Sequence, residues 1–240
     1  MAGVVIIGAG QAAAQTAASL RQEKFEDPIT ILGEESEFPY QRPPLSKDYL
    51  AGKIDFEKTL VRPPEFYSNK NITVNLNRKV IEIDPEKKIV STALSEKYEY
   101  DDLVIATGSR ARELRIPGSD LDGIHYLRSS KDVNSIKNQM KTAKKLCIVG
   151  GGYIGLEVAA VASDLGIEVT ILEMESRILK RVTTESMSQF YHALHSRRGV
   201  EIVCNAQVKS FEGANFVSSV ITEQKTFKSD LVIVGIGILP

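Results

Sequence analysis

Gly8-Ala9-Gly10-Gln11-Ala12-Ala13 follows the apolar run Val4–Ile7, and Gly150-Gly151-Gly152-Tyr153-Ile154-Gly155 follows a second run, Leu146–Val149. Each stretch leads from a short apolar strand into a helix through glycines, the pattern of a turn that holds a pyrophosphate. The pyrophosphate must be met by free backbone N–H groups at a helix N-terminus, and a side chain there would keep it too far away. Two such turns predict two dinucleotide sites, and therefore an electron donor and an acceptor.

The residues after each turn support this interpretation. The sequence predicts a helix and then a strand in each case, at Gln11–Phe25 and Ile29–Leu32 and at Tyr153–Leu165 and Val169–Leu172. An acidic residue follows each strand, near the roughly 20-residue spacing expected for a carboxylate that binds the adenosine ribose: Glu34 and Glu173. For one turn alone, a glycine-rich connector of another α/β protein is the alternative; two turns in context disfavour it.

The two halves of the chain resemble each other beyond the turns. Each predicts a hairpin or three-stranded meander, at Val80–Asp84, Ile89–Ala93 and Tyr98–Tyr100 and at Val208–Phe211, Val217–Thr222 and Thr226–Lys228. Each then closes on a similar apolar strand, within Asp102–Gly108 and Asp230–Gly235. Continuous apolar strands suit parallel sheets covered on both faces. The predicted fold is α/β, with two doubly wound, Rossmann-like nucleotide-binding domains that each carry a β-meander.

The join between the halves lies within Ala111–Lys145. Pro117-Gly118-Ser119 predicts a turn, and Asp132–Lys141 predicts a polar helix that leads into the second half. We therefore expect a boundary near Arg112, with domains at residues 1–112 and 113–240.

Composition narrows the possible partners. The 240 residues are 42% hydrophobic and 25% charged with a net charge of −1, which is typical of a globular protein and argues against disorder. The sequence has no dense run of Lys or Arg, so it does not predict binding to nucleic acid or to an anionic membrane. No apolar stretch approaches the roughly 20 residues that span a bilayer, and no charged leader precedes Val4. We expect a soluble, cytoplasmic protein.

The cysteines and histidines predict neither a disulfide nor a metal site. Cys147 and Cys204 form no CxxC pair, and both are interpreted as small core residues. His192 and His195 lie three residues apart on a helix predicted at Glu185–Arg197, but no third ligand is evident nearby. We therefore expect no metal.

The stretch Phe38-Pro39-Tyr40-Gln41-Arg42-Pro43-Pro44-Leu45-Ser46-Lys47 carries a specific resemblance. With Ala106-Thr107-Gly108, Ile116-Pro117-Gly118, Gly150–Glu157 and Val234-Gly235-Ile236-Gly237, it makes essentially the whole chain similar to the FAD-dependent NADH:ferredoxin, rubredoxin and putidaredoxin reductases. These belong to the glutathione-reductase-like pyridine nucleotide-disulfide oxidoreductase superfamily, which includes apoptosis-inducing factor.

The resemblance implies FAD in the first domain and NAD in the second. It places Gly8, Gly10 and Ala13 at the FAD pyrophosphate, Glu34 at its ribose and Val80 at its adenine. Other residues implied to contact FAD are Arg42, Lys47, Thr107, Gly108 and Arg112. At the nicotinamide cofactor, it implies Gly150, Gly152 and Gly155 at the pyrophosphate, Glu173 at the ribose and Gly235 at the nicotinamide end. Ile154 is also implied to contact this cofactor.

Three residues are implied to act at the reacting centre: Lys47, Glu157 and Tyr153. The resemblance pairs Lys47 with Glu157 beside the flavin, and puts Tyr153 between flavin and nicotinamide. A carboxylate in a cofactor-filled cleft needs a cation, and that cation also stabilises negative charge on a reduced cofactor. Solvated surface charge is the alternative for both, because Lys and Glu are mostly exposed.

The implied reaction passes a hydride from NADH to FAD and then single electrons to an iron–sulfur ferredoxin or a rubredoxin-type protein. The alternatives are a redox-signalling module without turnover, and an NADH oxidase or disulfide reductase. The last is disfavoured because Tyr40–Lys47 has no cysteine. Glu173 and Glu175 favour NADH over NADPH by repelling a 2′-phosphate, although Arg177 could accept one.

The sequence departs from the resemblance at Pro240. The family's later flavin-binding segment and interface domain do not follow, so we expect a truncated first domain with an unpaired sheet edge and weakened FAD retention.

Overall fold

A computed structural model describes residues 3–240 of the chain, which form two compact units. The first contains the chain up to Gln41, Asp55–Ser109 and Pro240, and the second contains Arg42–Ile54 and Arg110–Leu239. The predicted boundary near Arg112 assigns Arg42–Ile54 to the first domain, whereas this segment belongs to the second unit. The assignment of one cofactor to each predicted domain stays a prediction.

The first unit combines a parallel sheet with an antiparallel meander. Its elements are β1 (Val4–Ile7), α1 (Gln11–Gln22), β2 (Ile29–Leu32), α2 (Pro64–Asn69), β3 (Ile72–Asn75), β4 (Val80–Asp84), β5 (Ile89–Thr92), β6 (Lys97–Glu99) and β7 (Asp102–Ile105). The parallel sheet has the order β3-β2-β1-β7, and β4-β5-β6 form the meander. Ala13, Ala14 and Ala17 of α1 are buried, and their small side chains let the helix lie close to the sheet.

The second unit repeats this plan with an additional strand. Its elements are β8 (Arg110–Ala111), β9 (Ile124–Tyr126), α3 (Ser130–Met140), β10 (Lys145–Val149), α4 (Tyr153–Asp164), β11 (Glu168–Leu172), α5 (Glu185–Arg197), β12 (Glu201–Val203), β13 (Val208–Gly213), β14 (Val217–Thr222), β15 (Thr226–Lys228), β16 (Leu231–Val234) and β17 (Ile238–Leu239). The parallel sheet has the order β12-β11-β10-β16-β9, and β13-β14-β15 form the meander.

The four strands of the first parallel sheet correspond in order to β12, β11, β10 and β16 of the second. β1 and β10 lie in the middle, each between the strand that follows its glycine turn and the strand that closes its repeat. The predicted pair of doubly wound α/β folds, each with a meander, is therefore confirmed. The units differ at one sheet edge: β16 also pairs with β9, whereas β7 pairs only with β1 among the described strands.

The helices α1 and α3 begin or end at residues other than those predicted, and the local sequence explains both differences. α1 ends at Gln22 rather than Phe25, because the chain turns at Lys24 with a φ of 63°. α3 begins at Ser130, earlier than predicted, because Ser129 and Asp132 form a capping box. The helix α2 and the strand β3 were not predicted, because each is too short to show a clear apolar periodicity.

Within residues 3–240, none of the helices combines the length and apolar character needed to cross a membrane.

Candidate dinucleotide sites and the Lys47–Glu157 pair

The first glycine of each turn is required by the protein's own backbone. Gly8 and Gly150 have φ values of 102° and 111°, which L side chains rarely adopt. A Cβ at Gly8 would lie 2.3 Å from the Ala106 carbonyl oxygen, and one at Gly150 would lie 2.4 Å from that of Gly235. Both turns therefore pack directly on the strand that closes their repeat.

The third position of the two turns is filled differently. A Cβ at Gly155 would lie 2.3 Å from the Gly150 carbonyl oxygen, so α4 can pack on its turn only without a side chain there. Ala13 takes this position in the first unit and is fully buried, so α1 accommodates a methyl group. This residue closes the helix onto the turn in each unit.

The glycine directly before each helix, Gly10 or Gly152, faces open space instead. Counting the described residues, no atom lies within 4 Å of the place that a Cβ would occupy at Gly10 or Gly152. Both residues are helix N-caps, and neither α1 nor α4 has a side-chain cap or an acidic first turn within the described structure. Their first N–H groups therefore have room and charge for a phosphate. By contrast, Ser129 and Asp132 cap α3.

Glu173 is held in place at the end of β11. Its carboxylate is buried and accepts hydrogen bonds from the backbone N–H of Gly151 at 2.7 Å and of Glu175 at 2.8 Å. These bonds fix the carboxylate beside the phosphate turn, where it can accept from ribose hydroxyls. The position suits the role predicted for Glu173.

The structure shows that Glu34 is not the positional counterpart of Glu173. Gly33 N–H donates to Asn75 and Glu173 N–H donates to Val203, each on the next strand of its sheet, so Gly33 and Glu173 correspond. Glu34 lies one residue later, is 65% exposed, and pairs with Lys79 at 2.7 Å. The two predicted ribose carboxylates therefore have different surroundings.

Different side chains fill the space between the glycine turn and the end of the next strand in the two units. A Cβ at Gly33 would lie 2.6 Å from the Ala9 Cβ, whereas a Cβ at Gly151 would lie 2.7 Å from Ile178 Cγ2 and 3.1 Å from the Glu173 carboxylate. In the first unit the methyl group belongs to the turn and the strand ends on glycine. In the second unit the turn has glycine, and the strand ends on the carboxylate.

Lys47 and Glu157 meet in the second unit. Lys47 Nζ lies 2.7 Å from Glu157 Oε1, and Ser46 Oγ donates to Glu157 Oε2 at 2.5 Å. The side chains of Lys47 and Glu157 are 47% and 29% exposed, so the pair is accessible. Sequence reasoning missed Ser46, although it stands inside the quoted motif. Both oxygens of Glu157 are thus held by two consecutive residues.

The segment Arg42–Ile54 is anchored at several points. Pro43–Ser46 forms a 3-10 turn, in which Leu45 is fully buried. Arg42 Nη1 donates to the Arg128 carbonyl at 2.9 Å, and Tyr49 Oη donates to Asn134 Oδ1 at 2.6 Å. These contacts fix the backbone from which Lys47 projects.

A cavity of about 260 Å³ opens beside the Lys47–Glu157 pair. Its lining combines charged groups with apolar side chains: Arg42, Pro43, Leu45, Ser46, Lys47, Leu127, Arg128, Ile154, Glu157 and Ile238. Leu127, Arg128 and Ile238 were not predicted, since no motif marks them. A partly apolar cavity with a few converging charges is the usual form of a cofactor or substrate site.

The remaining predicted residues lie at the ends of strands and helices. Tyr153 and Ile154, the first residues of α4, are 50% and 41% exposed. Gly235 follows β16, and a Cβ there would make only ordinary contacts, the nearest at 3.9 Å. In the first unit, Thr107 and Gly108 are exposed after β7, and Val80 begins β4 half-buried. The structure leaves their roles, and that of exposed Arg112, as predictions.

Arg177 lies differently from the prediction. Its guanidinium donates to the carbonyls of Thr183 at 3.1 Å, Lys180 at 3.3 Å and Thr184 at 3.4 Å, and to Ser188 Oγ. A guanidinium used in this way orders the loop before α5 and does not reach out to a 2′-phosphate.

The cysteines are also only partly as predicted. Cys147 is a core residue of β10, and burial raises the pKa of its thiol. Cys204 is half-buried rather than in the core, and burial followed by the charge of Glu173 raises the pKa of its thiol. Within residues 3–240, no group of three or more His, Cys, Asp or Glu side chains is arranged to hold a metal ion.

Comparison with known proteins agrees with this geometry. The sequence profile of the pyridine nucleotide-disulphide oxidoreductases matches residues 2–240. The chain belongs to this family. The predicted superfamily is thereby confirmed, and the predicted cofactors, FAD and NAD, agree with it.

Several relatives match the chain over its length. It is 42% identical to a ferredoxin–NAD(P)+ reductase from Sphingomonas sp. and 38% identical to a rubredoxin–NAD+ reductase from Ectopseudomonas oleovorans, covering 99% of this chain in both cases and 58% and 62% of the relatives. Putidaredoxin reductase, solved in covalent complex with putidaredoxin, superposes with a TM-score of 0.96 at 38% identity, covering 99% of this chain and 59% of that one. The chain thus spans about 60% of the length of the relatives it matches.

Proposed function

We propose that the first unit binds FAD, that the second binds NADH, and that the protein passes electrons from NADH to an iron–sulfur or rubredoxin-type acceptor. One observation carries this proposal: the chain contains two glycine turns of the same design, each with open space at the glycine before its helix, Gly10 or Gly152, and with no side-chain cap on that helix. Two phosphate sites in a member of this oxidoreductase family suit a donor and an acceptor cofactor.

The glycine turns would bind and orient both dinucleotides. Gly10 and Gly152 let a pyrophosphate approach the N-termini of α1 and α4, where helix dipoles and free N–H groups neutralise it. Glu173 would orient the NADH ribose through its hydroxyls. In the first unit, Glu34 would do so only if its bond to Lys79 adjusts.

Bound FAD supplies a group that accepts a hydride and returns electrons singly. Lys47 contributes a fixed positive charge beside the cavity, and Glu157 and Ser46 hold it in position. Such a preorganised charge stabilises negative charge where it develops, without reorganisation during the reaction. Tyr153 is half-exposed at the start of α4, next to Ile154 of the cavity lining, and would exclude water from the bound cofactors.

Two further points support the choice of NADH and of the acceptor. Glu173 is fixed beside the glycine turn, and Arg177 is bound to its own loop, so a 2′-phosphate would meet a carboxylate without help from the Arg177 guanidinium. The acceptor class follows from the relatives, which are named for ferredoxin, rubredoxin and putidaredoxin. Neither cysteine suits a dithiol relay, since Cys147 lies inside a strand. We further propose a cytoplasmic location, in keeping with two free thiols.

The proposal is tested with the purified chain supplied with FAD. We expect NADH-dependent reduction of ferricyanide above the rate of free FAD, with a lower KM for NADH than for NADPH, followed by reduction of an added [2Fe–2S] ferredoxin. A rate no higher than that of free FAD, with NADH binding intact, would instead favour a signalling module without turnover.

A further inference from the structure

The loop after β11 carries three cations within eight residues of the carboxylate that we assign to the NADH ribose. Arg177, Lys180 and Arg181 follow Glu173 in this loop. A dinucleotide with a 2′-phosphate brings a second negative group to the same place, and cations there normally favour it. The response of the chain to that phosphate therefore depends on what the cations already bind.

Lys180 is already bound to a carboxylate. Its Nζ lies 2.7 Å from Glu175 Oε2, and the two side chains are 43% and 32% exposed. The hydrogen bond from Lys180, its charge, and the charge of Arg181 hold the pKa of the Glu175 carboxyl below its usual value. Glu175 therefore remains an anion at neutral pH and neutralises Lys180.

The backbone places this pair beside the phosphate turn. Leu179 N–H donates to the Gly151 carbonyl at 2.9 Å, and Leu179 is buried, so Lys180 projects from a residue tied to the turn. Glu175 N–H donates to the Glu173 carboxylate, and its carbonyl accepts from Asn205 N–H at 2.9 Å. Both partners thus stand on a loop that is fixed relative to the ribose carboxylate.

We propose that Glu175 is a specificity-determining residue that disfavours NADPH by holding Lys180 in this ion pair. The inference rests on the proposed NADH site. Glu173 repels a 2′-phosphate directly, whereas Glu175 acts by occupying the lysine that would otherwise bind it. Loss of Glu175 would release Lys180, its partner in the ion pair, whereas Arg177 would stay engaged with loop carbonyls.

Ligand fragments test this inference without turnover. Binding of 5′-AMP and of adenosine 2′,5′-bisphosphate to the full chain is measured by calorimetry at low salt. We expect Glu175→Ala to strengthen bisphosphate binding roughly five- to tenfold, as one freed charge at close range would, and to change 5′-AMP binding less than about twofold. Adding Lys180→Met should abolish the gain, while Lys180→Met alone should change bisphosphate binding less than about twofold.

A matched control separates the local effect from net charge. Glu223→Ala removes the same charge from the exposed Lys209–Glu223 pair, which is 2.6 Å apart in the meander, and should give no gain. The inference is overturned if Glu175→Ala gives no gain, if the gain survives Lys180→Met, or if Glu223→Ala reproduces it. Failure of 5′-AMP to bind the unchanged protein would instead overturn the proposed NADH site, and the inference with it.

Discussion

Lys47 Nζ lies 2.7 Å from Glu157 Oε1, although the two residues are far apart in the sequence. Ser46 completes the arrangement from the other side of the carboxylate. The pair is partly exposed, so its contribution to stability is small, and its position beside a cavity suggests that it serves the reaction.

This relationship leads to the first prediction. Glu157→Gln should lower the NADH-dependent ferricyanide rate of the FAD-supplied protein by about tenfold, because Lys47 loses its fixed position. The free energy of unfolding should change by less than about 1 kcal/mol. Steady-state kinetics and urea unfolding measure the two. Glu168→Gln, which breaks the exposed Lys145–Glu168 pair, is the control and should leave the rate unchanged.

The second prediction contrasts two glycines of one turn. Gly152→Ala adds a methyl group in open space, so stability should change by less than about 1 kcal/mol while NADH binding weakens at least tenfold. Gly155→Ala places a Cβ 2.3 Å from the Gly150 carbonyl oxygen and should destabilise the fold by several kcal/mol, roughly as overpacking does. Calorimetric titration and thermal unfolding separate the effects. Equal loss of stability in both variants would contradict this assignment.

The third prediction concerns Ala9 and Gly33, which share one space in the first unit. Gly33→Ala should cost about 1–3 kcal/mol, because its Cβ would lie 2.6 Å from the Ala9 Cβ. Ala9→Gly in the same chain should recover most of that loss, giving a favourable coupling energy in a double-mutant cycle. Denaturant unfolding of the four proteins measures it. Additive effects would show that the two positions do not share one space.

The fourth prediction is a pH dependence from α5. His195 is buried, and burial followed by the charge of Arg198 lowers the pKa of its imidazole from the usual 6.5. The unfolded state therefore binds the proton more readily, so this contribution to stability is present above pH 6.5 and is lost as the pH falls through the lowered value. His195→Gln should flatten the fall in Tm between pH 7.5 and 5. His192→Gln, on an exposed part of the same helix, should leave it unchanged.

The fifth prediction separates the two thiols. Cys147 is 1% exposed and Cys204 is only half-buried, and both have a raised pKa. In the folded protein a thiol reagent should therefore label Cys204 slowly and Cys147 not at all until unfolding. Mass spectrometry of labelled peptides measures this. Rapid labelling of Cys147 in the folded state would reopen the dithiol mechanism.

Patterns that act over short distances were predictable. Glycine turns after apolar strands, alternating elements and the repeated closing strand predicted the two parallel sheets, because backbone sterics and side-chain periodicity act within a few residues. The motif ending at Lys47 likewise indicated the family. The predicted ends of helices and strands were less accurate, because a cap such as Ser129 depends on individual side-chain hydrogen bonds.

Tertiary structure alone decided which side chains meet. No pattern of neighbouring residues predicts that Arg42–Ile54 belongs to the second unit or that Ser46 bonds to Glu157. The same holds for the hydrogen bonds of Arg177 within its own loop. It also holds for the contacts of Ala9 with Gly33 and of Gly151 with Glu173. The sequence by itself determined two glycine turns and their sheets, because these follow from neighbouring residues. The surroundings of each carboxylate depended on chain segments that folding brings together, and only the packed structure shows those contacts.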